Sequence, residues 1–101
     1  MTDKRMPHHD LDAIKLAFSK GSGLVTRTAT QDAAELGCGS DEITTIIQTI
    51  GEGHFYKSMT SNYNANVWQD VYHVHHAGRT LYVKFTDNGG TGFTLLSFKE
   101  K

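Results

Sequence analysis

An α+β domain, with N-terminal helices packed on a mainly antiparallel β-sheet, is the fold class this sequence predicts. Two observations predict it. Up to Gly53 the apolar residues recur at helical spacing; from His54 onward the chain turns to short runs of aromatic and β-branched residues set off by turn-forming segments. A chain that changes period once, halfway along, suits helices grouped before a sheet better than alternating β and α units. Its 101 residues suffice for one domain, 1–101, and not for two.

In the first half, Leu11, Ile14, Ala17 and Phe18 follow "PHHD" at helical spacing, and Gly21 stops the run. "GLVTRT" is short and β-prone. Thr28 and Gln31 have the spacing of a capping box, which opens a brief helix through Leu36, ended by Gly37. In "GSDEITTIIQTIGEG", Ser40 is the expected N-cap, with Asp41 and Glu42 favouring the helix dipole. Ile43, Ile46, Ile47 and Ile50 form one apolar stripe and are assigned to the core. The second half supplies four strands, "HFYKSM", "NVWQDVYHV", "TLYVKFT" and "FTLLSF". "TSNYNAN", "HHAGR" and "DNGGTG" connect them, and the last two are short enough for hairpins. Only the first few residues are expected to fray.

Composition narrows the function. With 38% hydrophobic residues and one proline the chain reads as a folded globular protein. No apolar run is long enough for a membrane span, so no membrane partner is expected. "MTDKRMPHHD" lacks the apolar core of a secretory signal, and the expected location is the cytoplasm. Cys38, the single cysteine, has no partner for a disulfide or a CxxC metal site. The net charge of −1 is unevenly spread. Residues 1–53 hold five Lys/Arg against eight Asp/Glu, whereas residues 54–101 hold five against three together with four of the six histidines. That asymmetry is compatible with an anion-binding face in the second half, and equally with chance in a short chain.

Alternation decides which strand positions packing can explain. In "TLYVKFT", Leu81, Val83 and Phe85 are apolar and should face the helices, which turns Tyr82 and Lys84 outward. "HFYKSM" sets Phe55, Lys57 and Met59 against Tyr56 and Ser58, and neither set is cleanly apolar. "VWQDVYHV" sets Val67, Gln69, Val71 and His73 against Trp68, Asp70, Tyr72 and Val74, again mixed. Sheets with one covered face usually alternate more cleanly. Polar groups from three strands could therefore meet on an open face, where lysine neutralises phosphate, amides and phenols donate hydrogen bonds, and aromatics stack on bases. On pattern alone an ordinary solvated face is the plainer reading.

Other candidates carry less. His73 and His75 of "HVHH" share a strand face, but two ligands with no nearby acid or cysteine make a poor zinc site, and no metal is assigned. His8 and His9 simply precede a helix. Cys38 is a small filler. "DNGGTG" lacks the strand–helix context and lysine of a phosphate loop, and no nucleophile motif of the GxSxG kind occurs.

"FYKSMT" at 55–60, "VWQDVY" at 67–72, "LYVKF" at 81–85 and "SFKEK" at 97–101, with "KRMPH" and "TRTATQDAAELG" before them, resemble the MqsR toxins over essentially the whole chain. The resemblance implies a RelE-like fold and a toxin of a type II toxin–antitoxin system. It implies a metal-independent, sequence-selective and ribosome-independent endoribonuclease acting on mRNA, with no cofactor. It implies a cognate antitoxin with a zinc-binding N-terminal domain and a helix-turn-helix domain. The family's active-site lysine, glutamine and tyrosine match Lys57, Gln69 and Tyr82. Beside them Tyr56, His73, Lys84 and Lys99 are RNA-contact candidates, His73 also as an auxiliary acid or base because it titrates near neutrality. The chain departs from the family pattern in "HVHHAGR", which carries His73, His75 and His76 where arginines are usual, and in the glycine-rich "DNGGTG". The competing classes are a non-catalytic RNA- or protein-binding module of the same fold and a metal hydrolase built on the histidines.

Overall fold

A computed structural model describes residues 2–89 and 92–101. In chain order these form β1 (Asp3–Lys4), α1 (Leu11–Ser19), β2 (Leu24–Val25), α2 (Arg27–Glu35), α3 (Ser40–Gln48), a 3-10 turn (Glu52–His54), β3 (Phe55–Thr60), β4 (Trp68–His76), β5 (Arg79–Asp87) and β6 (Phe93–Glu100). The strands make one sheet in the order β1-β3-β4-β5-β6-β2. Every pairing is antiparallel except β2 with β6, which is parallel. The α+β class, with helices ahead of the main strands, is therefore as expected.

The helices lie on one face of the sheet. Ile14 and Phe18 of α1, Ala29 and Ala33 of α2, and Ile43, Ile46 and Ile47 of α3 join Ile50 in a single buried cluster with Tyr72, Val74, Leu81, Val83, Phe85, Leu95 and Phe98. Cys38 belongs to it, the small filler the sequence suggested. Polar ties fix α1 to α3: Lys15 donates to the Ile50 carbonyl at 2.9 Å, and Gln48 to the Lys15 carbonyl at 2.7 Å.

Two helix starts lie elsewhere than expected. Thr26, and not Thr28, caps α2 by accepting the Ala29 N–H at 3.1 Å, so the helix begins at Arg27. Gly39, and not Ser40, is the cap of α3; its N–H donates to the Glu42 carboxylate at 2.9 Å. A carboxylate three residues on can satisfy that N–H whichever residue stands at the cap. The β4–β5 hairpin turns at Ala77 and Gly78, both with positive φ (52° and 78°), as a tight two-residue connection requires. The "DNGGTG" connection includes Gly90 and Thr91, which lie outside the described residues.

The N-terminus departs most from expectation. Its third and fourth residues do not fray but pair with Met59 and Ser58 of β3. The reason is Asp70, buried in β4, whose carboxylate accepts the backbone N–H groups of His8 (3.0 Å) and His9 (2.8 Å) and the Ser58 hydroxyl (2.6 Å). His8 and His9 thus do more than precede a helix. The His8 ring stacks on Trp68 with centroids 5.3 Å apart, and a ring nitrogen of His9 lies 2.9 Å from the Trp68 carbonyl.

Candidate active site

The sheet face opposite the helices is open, and strand register determines what stands on it. β3, β4 and β5 align Lys57, Val71 and Lys84 in one row, and β6 adds Ser97. One step along, Met59 pairs with Gln69. One step the other way, His73, Tyr82 and Lys99 form a third row. Gln69 and Tyr82 are thus four residues apart along the strands, about 13 Å, with Lys57 and Lys84 between them. Val71 is fully buried yet outside the helix-side cluster. It sits between two lysines whose aliphatic stems can cover it while their ammonium groups stay at the surface.

A β-bulge explains why "HFYKSM" resisted assignment. Register shifts between Phe55 and Lys57, so Phe55 opposes Tyr72 and packs against the core although Lys57 opposes Val71 on the open face. The expected set of Phe55, Lys57 and Met59 is therefore split, and Tyr56 is re-aimed beside Lys57. Its ring stacks on His73 with centroids 4.2 Å apart and planes 20° from parallel. Ser58 and Thr60 face inward and are buried. The mixed alternation of β4 resolves differently: Tyr72 and Val74 are core, and the odd polar residue among them, Asp70, is the anchor of the N-terminal arm.

Cations and aromatics interleave on the open face. Lys57 Nζ lies 5.6 Å from the Tyr56 ring centroid, and Lys99 Nζ lies 5.6 Å from that of Tyr82. The Tyr82 and His73 centroids are 6.0 Å apart. Beside Gln69 and Lys84 opens a cleft of ≈ 220 Å³, bordered by Met59 and the 60–63 loop. Partial burial shifts three groups. It raises Tyr82 above the ordinary phenol value, against the opposing pull of Lys57, so the phenol keeps its proton at neutral pH. It lowers His73, helped by Lys101, so the imidazole is neutral there. It lowers Lys84, with the nearby Lys99 charge adding to the effect. Partly buried Lys84 beside the exposed Lys99 charge is an arrangement that an anion between them would relieve.

All seven sequence candidates, Lys57, Gln69, Tyr82, Tyr56, His73, Lys84 and Lys99, thus share one face. His75 and His76 lie at the far end of β4, and the His75 ring pairs with Thr80 at 3.1 Å. Among the described residues no cluster of three or more His, Cys, Asp or Glu side chains could hold a metal. Sequence reasoning missed Asp3, whose carboxylate makes a 3.4 Å ion pair with Lys57. A two-residue strand leaves no periodic signal, and the acid lies 54 positions from the lysine it meets.

Helices seal one face of this α+β domain's sheet and leave lysines and tyrosines together on the other, a set of groups suited to an anionic partner. Comparison then fixes the family. Residues 6–100 match the family described as motility quorum-sensing regulator, toxin of MqsA, and the chain belongs to that MqsR toxin family. It is 36% identical over 99 residues to the mRNA interferase toxin MqsR of Escherichia coli (strain K12), spanning 98% of this chain and 99% of that protein.

Proposed function

We propose that this chain is the toxin of a type II toxin–antitoxin pair and cuts mRNA on the open face of its sheet, without metal and away from the ribosome. The observation that carries the reading is the convergence of Lys57, Gln69 and Tyr82 on that face, in a family with a curated member named an mRNA interferase. The chemistry is attack by the RNA's own 2′-OH on the adjacent phosphate, which forms a 2′,3′-cyclic phosphate and releases a 5′-OH. It needs a base for the 2′ proton, positive charge for the phosphate and an acid for the leaving oxygen.

Each need has a matching group. His73, kept neutral by partial burial and held flat against Tyr56, takes the 2′ proton. Lys57 exchanges Asp3 for the scissile phosphate and stabilises the charge that builds on it, with Lys84 across Val71 as a second cation. Tyr82 holds its proton at neutral pH and donates it to the departing 5′ oxygen. Gln69, one step along from Lys57, orients the phosphate. Tyr56 stacks a base, and Lys99 contacts the backbone. The partner is an antitoxin carrying a zinc-binding N-terminal domain and a helix-turn-helix domain, and the compartment is the cytoplasm. Among the described residues no helix is long and apolar enough to cross a membrane.

The test is cleavage of a defined RNA in EDTA with end-group analysis of the products. Cyclic phosphate ends and a loss of at least about 100-fold in kcat for Lys57→Ala, Gln69→Ala and Tyr82→Ala, with folds intact, are expected. Full activity in two of the three variants, or loss of cleavage in EDTA, refutes the proposal.

A further inference from the structure

The loop between β3 and β4 is held closed by its own polar groups. Ser61 N–H donates to the Val67 carbonyl at 2.8 Å, and Val67 N–H to the Asn64 carbonyl at 3.1 Å. The Ser61 hydroxyl accepts from Tyr63 N–H at 3.2 Å, and the Asn64 side chain from Asn66 N–H at 2.9 Å. Ser61 and Asn64 are thus committed to shaping the loop. Asn62 and Tyr63 are not. Among the described residues the Asn62 side chain makes no hydrogen bond, and Tyr63 is 99% exposed. A ring left wholly in water adds no burial energy to the fold.

Both residues line the ≈ 220 Å³ cleft on the open face, which has room for one flat heterocycle. Met59 gives it an apolar, polarisable side, and Gln69 and Lys84 form the side toward the reacting phosphate. Among the described residues no aspartate or glutamate lines it. Register places it: the Met59–Gln69 pair is the row next to Lys57, Val71 and Lys84, on the side away from His73 and Tyr82. Along the chain Tyr56 and Tyr63 stand on either side of Lys57, one at the bulge and one beyond the end of β3.

We propose that this cleft takes the unpaired nucleobase next to the cut bond, with Tyr63 as its stacking platform and Asn62 as a specificity-determining residue. This rests on the cleavage reading above and adds which groups choose the sequence. The base lies with one face on the Tyr63 ring and its edge toward Asn62, whose amide offers both a donor and an acceptor. Splayed bases are read on such edges, and stacking holds them whatever their identity. Lys84 draws in the attached phosphate, and Tyr56 stacks the base on the other side of Lys57.

The experiment has two arms, both on the full chain. In one, an RNA pool randomised around the cut is digested and the new ends are sequenced. In the other, the same pool carrying 2′-O-methyl groups, which block attack by the 2′ oxygen, is titrated and followed by fluorescence anisotropy. Tyr63→Ala should weaken both kcat/KM and binding of the methylated pool at least about fivefold, and Tyr63→Trp should keep both. Asn62→Ala should still leave cyclic phosphate ends but lose at least about fivefold in base discrimination at one position beside the cut, with the others unchanged. Both residues are exposed, so Tm should not move. Unchanged base preference in Asn62→Ala, or unchanged binding in Tyr63→Ala, overturns the proposal. A wild-type chain that cuts no RNA overturns the cleavage reading instead. Binding of the methylated pool then decides the cleft by itself: dependence on Tyr63 keeps it as a base-binding site, and independence removes it.

Discussion

Replacing Asp70 should be the most damaging single polar change in this molecule, and the effect should reach the open face. Its carboxylate is fully buried and accepts from Ser58, His8 and His9. Hydrogen bonds to a charged group contribute about 1.5–3 kcal/mol each, and a buried hydroxyl left unpaired costs about 1–3 kcal/mol. These contributions overlap, so Asp70→Ala should lose about 3–5 kcal/mol from a domain whose whole stability is on the order of 5–15 kcal/mol. Asp70→Asn keeps the shape and one acceptor and should lose less. Ser58→Ala leaves both backbone donors satisfied and should lose about 1 kcal/mol. The assay is urea unfolding followed by the single tryptophan, Trp68, against which His8 stacks, so its emission also reports whether the arm is seated. A released arm takes Asp3 away from Lys57 as well. An Asp70→Ala chain within 1 kcal/mol of the parent, with unchanged Trp68 emission, refutes this account.

Three further outcomes are expected. A Cβ at Gly23 would stand 2.5–2.7 Å from the ring of Phe18, which is only 5% exposed, so Gly23→Ala should cost about 1–3 kcal/mol in thermal unfolding. Gly53→Ala, where nothing lies within 4 Å, is the control, and equal Tm values for the two would refute the packing argument. Burial lowers the folded-state pKa of both His73 and His8 below 6.5, so in the window beneath that value the unfolded chain binds more protons than the folded one. Stability should therefore climb with pH through that window and level off above it, and His73→Asn should flatten the climb; identical slopes in a Tm series from pH 5 to 8 would rule out His73 as a source. For Lys84→Ala and Lys99→Ala, RNA binding should weaken and the log–log salt slope should fall by about 0.7 per lost phosphate contact. An unchanged slope removes them from the RNA path.

The parts of this molecule written in long periodic runs were readable from sequence. The isoleucine stripe of α3 and the alternation of Leu81, Val83 and Phe85 each have one consistent buried face, and the structure keeps both. Where a single residue breaks the period, reading failed. The bulge at Tyr56 puts Phe55 and Lys57 on opposite faces although they are two apart, and no local signal marks the extra residue. Asp70 looked like an irregular polar residue on a mixed strand because its partners lie about sixty positions earlier. The candidate site was half legible: Tyr82 and Lys84 followed from alternation, whereas Lys57 and Gln69 needed the motif resemblance to be singled out.

The two-residue strands at the sheet's margins bear on self-association. β1 pairs with Met59 and Ser58 of β3, with Thr2 extending the cover to Thr60, and β2 pairs with Thr94 and Leu95 of β6, with Thr26 extending it to Leu96. An uncovered strand edge is a template for another chain's backbone. On the β3 side the shield is held by Asp70, and the stretch it leaves open contains the bulge at Tyr56, whose kink disfavours a regular intermolecular ladder. The arm that positions Asp3 is therefore also an aggregation guard. Chains that lose it should form concentration-dependent oligomers before they lose their helices.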